Sequence, residues 1–113
     1  MSMTFDEYQK QALSTAVDSY DNPTLQHSIW AMGIAGEAGE VLEKWKKIVA
    51  YKKGNVSEDD LNELAKELGD VVWYIAVLAH SLGLSLDDIM SRNVQKLQSR
   101  KARGVIAGQG DNR

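Results

Sequence analysis

The sequence predicts an all-α protein, an antiparallel four-helix bundle-like domain that forms oligomers. The chain has 113 residues, of which 43% are hydrophobic and 26% are charged, as expected for one globular domain. It contains only one proline, and apolar residues recur at helical spacing along most of its length. Because proline interrupts helices, this combination favours helices over sheet.

Four residues stand at positions typical of helix N-caps. They are Thr4, Asn22, Ser57 and Ser85. The helices that follow are predicted to span residues 5 to about 19, 23 to about 51, 58 to about 83, and 86 to about 102. We therefore assign residues 1–103 to one all-α domain, and residues 104–113, which include three glycines, to a flexible Gly-rich C-terminal arm.

The composition argues against a secreted or membrane protein. The N-terminus has no basic segment followed by an apolar run, and the longest apolar run, residues 71–79, is about half the length of a membrane span. Cysteine is absent, which excludes disulfide bonds and thiolate metal sites. We expect a cytoplasmic protein that binds neither membranes nor nucleic acid.

Charge is distributed unevenly along the chain, whose net charge is −3. Residues 92–113 contain six basic residues and one acid, which leaves a charge of −8 for residues 1–91. An acidic body with a basic end is suited to bind a metal ion at one pole and phosphate groups at the other. A solvated basic helix face is the alternative interpretation.

Two pairs of carboxylates occur at i, i+3 spacing, Glu37 with Glu40 and Glu67 with Asp70, so each pair lies on one side of its helix. The turn between the two helices centres near Gly54, 14 to 17 residues after the first pair and 13 to 16 residues before the second. Helices joined by a short turn lie antiparallel. The two pairs are therefore expected at the same height, facing each other.

Four acids at one level repel each other in an apolar interior unless cations neutralise them. Oxygen ligands alone favour a hard ion, so we predict a Mg²⁺ site, with Mn²⁺ as the other candidate. The alternative is that Glu37 and Glu40 are surface residues paired with Lys44 and Lys47, and that Glu67 and Asp70 belong with Glu63 to a second solvated stripe. A di-iron site is excluded, because neither His27 nor His80 follows a glutamate by three residues.

The acid pairs belong to a longer pattern of motifs. Glu37-x-x-Glu40 is followed, after a gap of 26 residues, by Glu67-x-x-Asp70. Further motifs are the segments 33–41 and 67–74, the stretch Asn93-x-x-Lys96-Leu97-x-x-Arg100, and the ending 103–113. Together they resemble the MazG-like all-α nucleoside triphosphate pyrophosphohydrolase family. The resemblance covers residues 30–113, and the first helix contributes no motif to it.

The resemblance implies Mg²⁺-dependent hydrolysis of a (deoxy)nucleoside triphosphate to the monophosphate and pyrophosphate. It implies that the metal is held by Glu37, Glu40, Glu67 and Asp70. A metal ion can activate water without a side-chain nucleophile, and either Glu37 or Glu40 would be the catalytic carboxylate that orients that water. The residues expected to bind the substrate are Lys44, Lys47, Tyr74, Asn93, Lys96, Arg100 and Arg113.

Two predictions concern surfaces beyond the acids. A homodimer or homotetramer is expected, because apolar positions such as Trp30, Ile48 and Val49 exceed what one small unit can cover, and the resemblance implies the same. The arm has too few apolar residues to be ordered alone, so we expect it to be mobile and to close over bound nucleotide through residues 111–113. A disordered end is the alternative for the arm, and a catalytically silent helical oligomerisation module with a structural metal site is the alternative function.

Overall fold

The computed structural model describes residues 2–17 and 20–113 of the chain. Within these residues the chain forms four α-helices and no β-strand, which confirms the all-α prediction. The helices are α1 (Phe5–Leu13), α2 (Pro23–Lys52), α3 (Glu58–Ser81) and α4 (Leu86–Ala102). All four predicted starts are confirmed, because each predicted cap residue accepts a hydrogen bond from the first turn of its helix.

The first helix, α1, is shorter than predicted. The prediction of a helix to about Ser19 is wrong, since α1 ends at Leu13; residues 18–19 lie outside the described part of the chain. The hydroxyls of Ser14 and Thr15 each donate to the carbonyl three residues earlier, at 2.5 and 2.9 Å. These bonds satisfy carbonyls that a further helical turn would have used. Ala16 still packs on the core, from outside the helix, which explains the misleading apolar spacing.

The two long helices, α2 and α3, form an antiparallel hairpin. Its turn contains Lys53 and Gly54, which adopt positive φ angles of 55° and 83°. Near the turn, Lys52 at the end of α2 lies 2.7 Å from Asp60 at the start of α3. At the far end, His27 contacts Ser81. This order of contacts places the middle of α2, around residue 37, level with the middle of α3, around residue 70.

The buried Gln9 of α1 joins α3 to the start of α4. Its amide Nε2 donates to the carbonyls of Ala76 and Leu84 at 3.0 and 3.1 Å, and its Oε1 accepts from the Leu86 N–H at 3.2 Å. A buried amide that satisfies three backbone groups around the α3–α4 corner holds that corner in one arrangement.

Helix α4 departs from a regular antiparallel bundle. Its axis is bent by 106° from that of α3, and among the described residues no Cα atom of α4 lies within 8 Å of one in α2. The antiparallel arrangement predicted for all four helices is therefore not confirmed beyond α2 and α3. No single helix in the described ranges is long and apolar enough to cross a membrane; only the bent pair α3 and α4 would pass together, by length and composition.

A stripe of large apolar side chains on the hairpin is exposed. Its members, which we call the apolar stripe, are Leu25, Ile29, Met32, Leu42, Trp45 and Val49 of α2 and Leu61, Leu68 and Val72 of α3. On α2, Leu25, Ile29 and Met32 share one helix face, and Leu42, Trp45 and Val49 share a neighbouring one, because each group recurs at three- or four-residue spacing. Exposed apolar groups of this size are typical of a surface that a partner covers.

The C-terminal arm folds back on the end of α4. The Arg113 guanidinium donates to the carbonyls of Val105 and Ile106, both at 3.0 Å, and Arg103 donates to the Arg113 carbonyl at 2.9 Å. Gly108 leaves room for this side chain, because a Cβ atom there would lie 2.5 Å from the Cδ of Arg113. Hydrogen bonds thus give the arm a defined conformation. Its predicted mobility and its closure over a nucleotide stay predictions.

Candidate active site

Three of the four predicted metal ligands converge between α2 and α3. One carboxylate oxygen from each of Glu37, Glu67 and Asp70 lies within 4.8 Å of the other two. The antiparallel hairpin brings them together, since α2 supplies Glu37 and the level part of α3 supplies the other two. Glu37 and Glu67 are half-buried, whereas Asp70 is exposed, so solvent reaches the group. We call these three residues the acid triad.

The surroundings of Glu37 disfavour its charged form. The pKa of Glu37 is raised above its ordinary value, first by desolvation and then by the charges of Asp70 and Glu67, a hydrogen bond with Glu67 and the charge of Glu40. A cation held by these oxygens would relieve this repulsion. A cluster of carboxylate oxygens without sulfur or nitrogen ligands fits Mg²⁺ or Mn²⁺.

Glu40 lies outside the acid triad. It is exposed, one helical turn after Glu37, and it acts on the triad through its charge, the weakest of the influences on the pKa of Glu37. The structure therefore brings three of the four predicted ligands together and leaves the fourth at the rim. The assignment of Glu40 as a ligand or as the catalytic carboxylate stays a prediction.

Of the two lysines predicted on α2, only Lys44 contacts the acid triad. Its Nζ atom lies 3.7 Å from Glu67 and 3.5 Å from Glu63, so it offsets part of the negative charge of α3. Lys47 lies 3.9 Å from Glu43 on its own helix. Both lysines line an open cavity of about 220 Å³ between the acid triad and the turn. Lys44 is thus the better placed of the two to meet a phosphate group.

Beyond Tyr74 a cavity of about 230 Å³ lies between α1, α2 and α3. Its lining residues are Leu13, Ala16, Gln26, Trp30, Val77, His80 and Ser81. Trp30 precedes Glu37 by two helical turns and Val77 follows Asp70 by two turns, so the cavity lies ~10 Å along the hairpin from the acid triad, on the same helix faces. The indole N–H of Trp30 is buried and has no partner in the described part of the chain. It is a hydrogen-bond donor that the fold leaves unsatisfied.

In the part of the chain that the structure describes, no ion pair or hydrogen bond joins Lys96 or Arg100 to the acid triad, and no Cα atom of α4 lies within 8 Å of one in α2. Lys96 and Arg100 contact Asp111 of the arm. Asn93 lines a shallow cavity beside Lys96, and Arg113 holds the arm's own backbone. The structure thus separates the predicted substrate-binding residues into one group beside the acids and another at the end of α4.

Two functional features escaped the sequence reasoning. Trp30 and Ile48 were expected among the apolar positions that a single unit leaves uncovered, yet they are only 6% and 4% exposed, and Trp30 lines the cavity. Asp111 was expected to contact nucleotide, whereas here it contacts the two basic residues of α4. The single acid of the basic C-terminal region, Asp111, was an available signal, but helical spacing does not extend into an arm of irregular structure and so could not pair it with Lys96 and Arg100.

The chain is similar to a known domain family and to two known proteins. The MazG nucleotide pyrophosphohydrolase domain family matches residues 25–105. The Gene 37 protein of Mycobacterium phage L5 is 46% identical over 114 residues, which cover 98% of this chain and 100% of that protein. The uncharacterized protein YvdC of Bacillus subtilis strain 168 is 36% identical over 72 residues, 57% of this chain and 65% of that protein. No solved structure matches the chain significantly. The chain belongs to the MazG nucleotide pyrophosphohydrolase domain family.

Proposed function

We propose that this protein catalyses the Mg²⁺-dependent hydrolysis of (deoxy)nucleoside triphosphates to the monophosphate and pyrophosphate. The observation that carries the proposal is the convergence of Glu37, Glu67 and Asp70 in a chain of the MazG family. Carboxylate oxygens within reach of one ion suit a hard divalent cation. The proposed ligands are the acid triad, with Glu40 as a fourth ligand or as the base.

The chemistry requires no nucleophilic side chain. When bound, magnesium balances the charge of phosphate oxygens and makes water a stronger nucleophile near neutral pH. Glu40 lies at the rim, outside the converged group, and its carboxylate is therefore suited to orient the attacking water and accept its proton. Glu37 is the second candidate for this role, and Lys44 is placed to meet the negative charge that builds on the phosphates.

The cavity next to Trp30 is proposed to hold the base of the substrate. Phosphates at the acid triad and a base at Trp30 would be ~10 Å apart, a span that a nucleotide bridges, with its sugar against Tyr74. The Trp30 side chain, which lines the cavity, would then pack against the base. This arrangement assigns each end of the substrate to a feature of the hairpin.

The α4 residues Asn93, Lys96 and Arg100 are proposed to bind phosphate from a neighbouring subunit of a homodimer or homotetramer. Two observations support this part of the proposal. In the described part of one chain no Cα atom of α4 lies within 8 Å of one in α2, and the apolar stripe offers a surface for a second copy. Arg113 would bind phosphate together with these residues only after its guanidinium breaks its hydrogen bond to the Val105 carbonyl of the arm.

The test is an assay of pyrophosphate release from a panel of the common ribonucleoside and deoxyribonucleoside triphosphates. We expect pyrophosphate and monophosphate in equal amounts from at least one nucleotide with millimolar Mg²⁺, and none after a chelator is added. Release of inorganic phosphate alone would contradict cleavage between the α and β phosphates. No product from any nucleotide with Mg²⁺ or Mn²⁺ would favour the alternative, a silent helical oligomerisation module with a structural metal site.

A further inference from the structure

The carboxylate of Asp111 bridges the two basic side chains of α4. Its Oδ1 atom lies 2.9 Å from the Nζ of Lys96 and 2.9 Å from the Nη2 of Arg100, which also donates to the Asp111 carbonyl. One anionic oxygen shared by an ammonium and a guanidinium is also how a phosphate oxygen binds such a pair. Asp111 therefore uses the donors that a phosphate would need, and the two cannot be bound there at once.

Arg100 is the buried member of this group. Its side chain is only 5% exposed, whereas the side chain of Asp111 is 76% exposed. A buried guanidinium needs an anionic partner, and Asp111 is that partner here. The Nε–H of Arg100 is buried with no partner in the described residues, so Asp111 leaves part of the guanidinium unsatisfied. A phosphate, which has more oxygens, has acceptors to spare for this N–H.

The arm holds Asp111 by polar contacts. Arg113 donates to carbonyls at both ends of the arm, and most arm side chains are exposed, including Ile106, which is 48% exposed. Contacts of this kind open and re-form readily in water, because little apolar surface is lost when they break. These hydrogen bonds hold the arm over Lys96 and Arg100. Because the arm buries little apolar surface, it can also detach from α4.

We propose that the arm is an autoinhibitory latch, in which Asp111 occupies the place of a substrate phosphate on Lys96 and Arg100 and must leave before a polyphosphate binds there. The inference rests on the proposed function, which assigns these two residues to phosphate. Lys96 and Arg100 lower the pKa of Asp111 to about 2, so the competing carboxylate stays charged near neutral pH. The latch acts in the opposite direction to a lid that closes on the substrate.

The latch is tested by titrating the full-length chain with inorganic pyrophosphate in a calorimeter. Asp111→Asn keeps the size of the side chain and removes its charge. Asp88→Asn is the matched control, because it removes the same charge from another ion pair of α4, Asp88 with Arg92 at 2.9 Å. We expect Asp111→Asn to bind pyrophosphate ~3- to 10-fold more tightly than wild type, since an exposed tethered carboxylate is a modest competitor. Asp88→Asn should bind as wild type does.

A double variant tests whether the increase in pyrophosphate affinity arises at Lys96 and Arg100 of α4. Lys96→Gln combined with Asp111→Asn should lose the gain in affinity, because pyrophosphate then lacks one of the two donors. Hydrogen exchange in residues 105–112 of the wild type should speed up when pyrophosphate is added, as the arm is released.

The outcomes separate the latch from the proposed activity. Equal or weaker pyrophosphate binding by Asp111→Asn, or no measurable binding by either protein, would overturn the latch; weaker binding would support the lid. Tighter binding in a chain that hydrolyses no nucleotide would support the latch and contradict the proposed function. Hydrolysis with equal affinities in both proteins would contradict the latch alone.

Discussion

The ring of Tyr74 lies directly against the backbone of Gly33, because a Cβ atom at position 33 would come within 2.2 Å of two ring carbons. Glycine inside a helix costs ~1 kcal/mol relative to alanine, and here the close approach of an aromatic ring offsets that cost. The ring is held on its other sides by Trp30 and Trp73, whose centroids lie 6.2 and 5.0 Å from it. Gly33 thus sets the position of the Tyr74 ring, which follows Asp70 of the acid triad by one helical turn.

Gly33→Ala should destabilise the fold by ~1–3 kcal/mol, because Tyr74 must move within a packed aromatic cluster. The matched control is Gly69→Ala, a mid-helix glycine whose added Cβ meets nothing within 4 Å in the described residues. That variant should gain ~1 kcal/mol from helix propensity. Urea unfolding of both variants measures the difference, and equal stability of the two would contradict the packing described for Tyr74.

Divalent cations should stabilise the folded chain. An ion that binds only the folded state adds ~2.7 kcal/mol at a hundredfold excess over its Kd. We therefore expect Mg²⁺ or Mn²⁺ to raise the melting temperature of the wild type, and to have much less effect on Asp70→Asn, which lacks one acid of the triad. A wild-type melting curve that responds neither to millimolar Mg²⁺ nor to a chelator would argue against a metal site here.

Stability at low pH should depend on Asp60. Its carboxylate accepts from Lys52 at 2.7 Å and from the Ser57 N–H at 3.0 Å, and these bonds, with that from Lys52 the stronger cause, lower its pKa from 3.8 to about 2. A lowered folded-state pKa means that the stabilisation is present above pH 4 and is lost as pH falls towards 2. Asp60→Asn should therefore be less stable than wild type at pH 6, with the difference shrinking by pH 2. A constant difference across urea titrations at these pH values would show that the charge is not responsible.

We expect the apolar stripe to form an interface between copies of this chain. At micromolar concentration, light scattering should give a mass of at least two chains. Leu42→Glu places a charge in the stripe at a side chain that is 68% exposed and should shift the mass towards one chain. Val17→Glu is the control, because Val17 is 70% exposed but lies outside the hairpin. A monomeric wild type, or equal effects of the two variants, would contradict an interface at the stripe.

The parts of the structure that follow from local chemistry were predictable from sequence. Each N-cap is specified by a side chain that bonds its own first turn, and the short turn at Gly54 makes α2 and α3 antiparallel, which levels Glu37 with Asp70. The helical rise per residue and the spacing of the acids were therefore enough to predict that these residues lie close together, as three of the four do. The sequence did not distinguish Glu40 from the other three acids. In an i, i+3 pair one carboxylate can point between the helices while the other stays at the exposed edge of the site.

The parts set by long-range contacts were not predictable in this way. The end of α1 depends on two hydroxyls that compete with the helix, and the direction of α4 depends on Gln9, whose three partners lie more than 60 residues away. The arm shows a different limit. Its predicted mobility stays a prediction, whereas Gly108 makes room for the side chain of Arg113. A glycine in a sequence does not show whether it provides flexibility or space.

The central claim is that the acid triad performs the chemistry, and it is tested most directly by comparing Asp70→Asn with Asp59→Asn. Each substitution removes one exposed carboxylate from α3, but Asp59 lies in its first turn, away from the triad. The measurement is kcat/KM for pyrophosphate release with saturating Mg²⁺, on proteins whose circular dichroism shows intact helices. We predict a loss of ~10²-fold or more for Asp70→Asn and values close to wild type for Asp59→Asn. Near-normal turnover by Asp70→Asn would contradict the account.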